Sequence, residues 1–152
     1  MRRDGTKRRG LGPLILLLAL CPAGARPAAP ATLDVEVEGV ASGEGNVLVA
    51  VCTKATFLTG DCPYTASAPA RKGTVDIRIG GVPPGTYAVQ AFHDANANMD
   101  LDRNFFGFPK EGAGFSNDAP MRFGPPRFAD AAIEVDAAPA TARVTMRYFK
   151  AP

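Results

Sequence analysis

Between His93 and Asp102 the chain reads HDANANMDLD, so Asp94, Asn96, Asn98, Asp100 and Asp102 place an oxygen-bearing side chain at every second position. Such a ladder suits a hard cation, since Ca2+ gathers about six to eight oxygens from carboxylates, amides and main-chain carbonyls, often from a single loop. With Asp94 as position 1, Asp94, Asn96, Asn98 and Asp100 fall at positions 1, 3, 5 and 7 of a calcium loop, the seventh acting through its carbonyl. Leu101 then fills the apolar eighth position and Asp102 the ninth. Two positions depart from that pattern. Met99 stands at position 6, where a sharp turn calls for Gly, and Phe105 stands at position 12, where a bidentate Glu belongs; Glu111, farther along, is the carboxylate available in its place. The same residues also suit a metal-free loop in which Asn and Asp side chains accept hydrogen bonds from their own backbone. The sequence supports both a calcium-type loop and this turn.

Other chemistry finds less support. The chain has one His and three Cys, too few for a Cys/His zinc cluster. It carries no Ser–His–Asp signature, no phosphate loop and no HExxH. His93 and Asp94 are neighbours on a strand and therefore point to opposite faces, which argues against an acid–base pair. The remaining catalytic option is a carboxylate-dependent hydrolase using Asp94, Asp102 and Glu111, which requires two of them within about 5–10 Å across an open cleft.

The elements that must hold this segment read as β. Leu33, Val35 and Val37 alternate with Asp34, Glu36 and Glu38, the period-two pattern of a strand with one wet face. Turn residues follow at 41–46, then the buried run Val47–Thr53, and the two runs read as a hairpin. Val75, Ile77 and Ile79 predict a third strand, and residues 54–73 read as a connection. The reversal at 80–85 leads into Thr86–His93, and Arg127–Val135 and Thr141–Phe149 close the chain as strands. Gly and Pro together make up 30 of 152 residues, which favours turns and short strands over helices. The expectation is an all-β fold, an antiparallel β-sandwich of about seven strands, transthyretin-like or immunoglobulin-like. Residues 94–126 form a long connection carrying Phe105, Phe106, Phe108, Phe115 and Phe123, five of the nine Phe in the chain. So apolar a connection predicts an ordered cap held by its Phe cluster, with Gly107, Gly112 and Gly114 at its reversals and Ser116–Asn117 as capping groups.

The first 25 residues read as an export signal. Arg2, Arg3, Lys7, Arg8 and Arg9 precede the ten-residue apolar run Leu11–Leu20, too short to span a membrane and right for a secretory core, and Ala23-Gly24-Ala25 or Ala29-Pro30-Ala31 offers a cleavage site. The paired arginines also resemble a twin-arginine signal, and Leu18–Cys21 loosely resembles a lipoprotein box with Leu20 where a small residue belongs. Residues 26–31 are then a short linker and 32–150 a single domain. Removing residues 1–25 takes five basic and one acidic residue from 17 and 15, leaving 12 basic and 14 acidic, a formal charge of −2. No basic stripe for nucleic acid remains, and no membrane-spanning segment. Cleavage also removes Cys21, and Cys52 with Cys62 then reads as a disulfide closing a loop of about ten residues, or as two buried thiols.

From Gly81 to Pro120 the chain resembles an exported bacterial family, domain of unknown function 2141. The resemblance rests on three motifs in order: Pro84–Ala88, His93–Asp102 and Gly107–Asn117, joined by a closing strand with Tyr148. It spans roughly residues 32–150, and Met99 stands where the family pattern has Gly. It implies a sandwich domain of the bacterial envelope, similar to transthyretin-like and carboxypeptidase-regulatory modules, with no known activity attached. The functional expectation is an exported, periplasmic or secreted, non-catalytic binding module with an envelope protein or polymer as partner and Ca2+ as the candidate ion. The alternative is the exported hydrolase.

Overall fold

The computed structural model describes residues 29–149 apart from Phe106, Phe108 and Phe123; the expected export signal and Cys21 lie outside the described residues. Among the described residues eight strands and one helical turn follow in order: β1 Ala31–Val40, β2 Asn46–Cys52, β3 Tyr64–Pro69, β4 Gly73–Val82, β5 Gly85–Asp94, β6 Gly112–Phe115, α1 Phe128–Ala131, β7 Ala132–Val135 and β8 Ala140–Thr145. They make two sheets. One is three-stranded in the order β4-β1-β8; the other runs β3-β2-β5, and β6 and β7 share the far edge of β5. All pairs are antiparallel except β1 with β8, which is parallel. The fold is an all-β, mostly antiparallel sandwich.

Period-two patterning explains the core. Leu33, Val35 and Val37 of β1 and Val47, Val49 and Val51 of β2 are fully or almost fully buried in one cluster with Val75, Ile77, Val89 and Val144. Each such side chain contributes roughly 1.5–3 kcal/mol on burial. This packing corrects the expected hairpin. β1 pairs with β4 and β8, and β2 with β3 and β5, so residues 41–45 carry the chain from one sheet to the other. The two apolar faces gain more by meeting across the sandwich than their edges would by pairing.

Three further expectations need correction. The connection 54–73 contains β3, whose inward residues Tyr64, Ala66 and Ala68 are too small and mixed to announce a strand. The predicted strand Arg127–Val135 begins as the helical turn α1 and becomes extended only at Ala132. The long connection contains β6, whose sequence GAGF hides its pairing because two of its four residues are Gly. A Cβ on Gly114 would lie 2.5 Å from the Thr145 carbonyl oxygen, and one on Gly112 would lie 2.5 Å from the Tyr148 ring. These glycines let the tail beyond β8 close onto β6, where Ala113 and Arg147 exchange both backbone hydrogen bonds (3.0 and 2.9 Å). They serve packing rather than reversal.

Of the expected Phe cluster, Phe105 and Phe115 fall among the described residues. Phe105 is 98% exposed, whereas Phe115 packs edge-on against Phe57, which meets Phe128 in the same way, with ring centroids 5.7 Å apart in both pairs. Phe57 of the disulfide loop thus meets both Phe115 of the segment and Phe128 of α1. Phe106, Phe108 and Phe123 are outside the described residues. Among the described residues no helix is long and apolar enough to cross a membrane.

Candidate functional site

The oxygen ladder begins where β5 ends. Asp94 is completely buried, and a carboxylate taken from water needs donors. It has two: Oδ1 accepts the Asn98 N–H at 3.0 Å and Oδ2 accepts the Met99 N–H at 2.9 Å. Asn96 Oδ1 accepts the same Asn98 N–H at 3.1 Å, and Asn98 Oδ1 accepts the Asp100 N–H at 2.8 Å. The two amide nitrogens donate to Asp102, Asn96 Nδ2 to Oδ2 at 2.8 Å and Asn98 Nδ2 to Oδ1 at 3.4 Å. Glu111, buried beside the loop, bridges its two ends by accepting the Ala95 N–H at 3.0 Å and the Asp102 N–H at 3.2 Å. Asp94, Asn96, Asn98, Asp100, Asp102 and Glu111 are thus brought into one loop, Asp100 through its backbone. The turn this requires places Met99 at φ +68°, the left-handed conformation for which glycine is suited. Gly45 packs beneath it: at φ +65°, a Cβ there would sit 1.9 Å from the Asp94 carbonyl oxygen.

As hydrogen-bonded, this loop directs the Asp94 and Glu111 carboxylates at backbone amides. Among the described residues no group of three or more His, Cys, Asp or Glu side chains is placed to hold a metal ion, so a cation here would draw on the Asn amides and main-chain carbonyls as well. His93, also buried, is similarly occupied. Its Nε2–H donates to the Glu44 carbonyl at 2.8 Å, which leaves Nδ1 to accept the Tyr148 hydroxyl at 2.9 Å. That hydroxyl accepts the Ala41 N–H at 2.9 Å. Burial raises the Tyr148 phenol above its ordinary value, opposed by the Ala41 hydrogen bond. His93 therefore ties the inter-sheet crossing to the chain end. Ser116 does the same at the β6–β7 junction: it is fully buried, and its Oγ accepts the Val89 N–H at 2.9 Å and donates to the Ala131 carbonyl.

A different surface is open. On the outer face of the larger sheet, Ala88 is covered by a small cluster that includes Phe115 and Ala131, with Phe57 and Phe128 against it. The neighbouring outward residues Leu48, Ala50, Gln90 and Phe92 are only half-buried. Two adjoining grooves run over them. One, about 460 Å³, lies over Leu48, Ala50, Thr65 and Ser67; the other, about 550 Å³, lies over Ala113, Phe115, Met121 and Phe149. They share Thr59, Gly60, Gln90, Phe92 and Met99. Thr59 and Gly60 belong to the loop closed by the Cys52–Cys62 disulfide, and Gln90 Nε2 lies 3.8 Å from Cys62 Sγ. Met99 comes from the ladder loop. Leu58 at 46% and Met99 at 66% exposure make an apolar rim. Among the described residues the one carboxylate lining either groove is Asp100; Arg103 and Arg122 line the second.

Residues 35–143 match the family described as "Uncharacterized protein conserved in bacteria (DUF2141)". The chain belongs to that family. The match takes in the groove floor, the ladder loop and the disulfide, so all three lie within the DUF2141 domain. No curated protein and no solved structure matches the chain.

The disulfide follows the sequence expectation, and the ladder residues lie together in one loop. The groove was missed. Its signal is present in β2, where NVLVAVC is apolar at both parities: Val47, Val49 and Val51 serve the core, which leaves Leu48 and Ala50 to face outward. A strand apolar on both faces reads as doubly buried, but here the second face is bordered by loops and partly open.

Proposed function

We propose that this DUF2141 protein is an exported, non-catalytic binding module of the bacterial envelope that takes its ligand in the groove on the outer face of the β3-β2-β5 sheet, with the Asp94–Asp102 loop as a rigid rim. The observation that carries this reading is the continuous, half-buried apolar floor of Leu48, Ala50 and Phe92 between two anchored loops. Concave, mostly apolar sites with a few polar groups are the usual form of small-ligand sites. The hydrolase alternative has less support, because Asp94 and Glu111 are buried against backbone amides and neither lines a groove. Export is supported by the basic and apolar N-terminal sequence and by the disulfide, a bond that persists in oxidising compartments.

Titration of the purified protein with the apolar fluorophore 1-anilinonaphthalene-8-sulfonate tests this directly. Saturable binding at one site, lost in Phe92→Glu with the far-UV circular dichroism unchanged, is the expected result. Turnover of an ester or glycoside substrate that Asp102→Asn abolishes would favour the hydrolase. Oxygen spacing supports a hard cation at Asp94, Asn96, Asn98, Asp100 and Asp102, whereas the N–H donors already on those oxygens support a hydrogen-bonded turn, and we assign the loop to the turn. A thermal melt in excess calcium and then in chelator should leave the midpoint unmoved. An upward shift that Asp94→Ala and Asp102→Ala both remove would establish the ion site instead.

A further inference from the structure

The two grooves differ in charge. Among the described residues the first is lined by no charged residue, whereas the second carries Arg103, Arg122 and Asp100, a net excess of one positive charge. They meet at Phe92 and Met99, so one elongated ligand in both would have an apolar end over Leu48 and Ala50 and an anionic end near the arginines. The floor is the face of a sheet, not its edge: β2 is hydrogen-bonded on both sides, to β3 and to β5. It offers no row of backbone donors and acceptors, so an extended peptide lying there would leave its own amide groups poorly partnered. An acyl chain has no such groups. Arginine presents a planar fork of donors that matches a carboxylate, and Arg103 uses Nη1 to reach the Gly107 carbonyl at 3.2 Å, leaving other guanidinium donors.

We infer that the ligand of this groove is a free long-chain carboxylate, its chain lying over Phe92 and Met99 onto Leu48 and Ala50 and its head group near Arg103 and Arg122. This rests on the groove being the binding site and adds the ligand class.

The test is isothermal titration calorimetry of the purified protein with dodecanoate, dodecanol and dodecylammonium below their micellar concentrations, with decanoate for chain length and anionic phosphatidylglycerol vesicles as the membrane arm. Dodecanoate should bind at least tenfold more tightly than dodecanol, and dodecylammonium most weakly. Each added methylene should tighten binding by about fourfold, and the double variant Arg103→Gln/Arg122→Gln should bring dodecanoate down to dodecanol. Phe92→Glu should remove binding of both; if it fails to fold, Met99→Ser, at an exposed position, should weaken both together. Equal affinity for carboxylate and alcohol, indifferent to the arginine variants, would overturn the ligand class and leave the groove reading standing. Absence of binding by every amphiphile would overturn both. Association with vesicles without binding of free dodecanoate would overturn the assignment to a free carboxylate.

Discussion

The ladder loop and the outer groove lie side by side and divide the duties that their residue types would have assigned the other way round. The loop is rich in chemistry-bearing side chains, yet Asp94, Asn96, Asn98, Asp102 and Glu111 are all engaged within it. The groove is built of residues that ordinarily fill cores, yet Phe92, Leu48 and Met99 remain in part open to solvent. Functional groups that satisfy one another make a scaffold; apolar groups left uncovered make a site. Substitutions in the loop should therefore cost stability, and substitutions in the groove should cost binding.

The largest stability loss should come from Gly45→Ala. Its Cβ would overlap the Asp94 backbone at a positive φ, so a loss of more than about 4 kcal/mol is expected, read as failure to fold or a collapsed urea midpoint. Asp94→Ala comes next, at about 3–4 kcal/mol by urea unfolding, because it removes the buried carboxylate that accepts the Met99 N–H and shares the Asn98 N–H with Asn96 Oδ1. A ladder whose removal cost nothing would break the scaffold half of the comparison. Cys52→Ser/Cys62→Ser should cost about 3 kcal/mol on the chain-entropy model, and since the loop it closes supplies Thr59 and Gly60 to both grooves, ligand affinity should fall with it. Tyr148→Phe should cost about 1 kcal/mol, by removing a hydroxyl that serves both Ala41 and His93. It should also soften alkaline unfolding. The folded phenol titrates above its unfolded value of about 10, so the stability it contributes is present below about pH 10 and lost as pH rises further. Phe92→Ser should have the smallest effect on stability, within about 1 kcal/mol at this half-exposed position, while abolishing apolar-probe binding.

Alternation in β1, β2, β4 and β5 announced the sandwich, because one-sided burial writes itself into sequence at period two. The pairing of β1 was invisible, since two equally apolar faces are compatible with edge pairing or with face packing, and tertiary context chose the second. β6 was hidden because its inward side chains are absent: the space that a strand normally fills at Gly112 and Gly114 is occupied by Tyr148, Val144 and Thr145 from the chain end. The ladder was recognised for its oxygens, but their hydrogen-bond partners are backbone amides of the same loop, which every residue carries and no motif records. The departure at Met99 is informative in the same way, because the position does adopt the left-handed turn that the Gly pattern implies, with the methionine side chain turned out to the groove rim.

The division of labour between loop and groove is tested most directly by residue-resolved amide NMR of the 15N-labelled protein titrated with 1-anilinonaphthalene-8-sulfonate. Saturating shifts at Leu48, Ala50, Ser67, Gln90 and Phe92, with the amides of the β4-β1-β8 sheet unmoved, are expected, because those five residues line the groove. Shifts centred on the β4-β1-β8 face, or no saturating shifts with the probe but saturating shifts of Asp94–Asp102 on adding calcium, would contradict it.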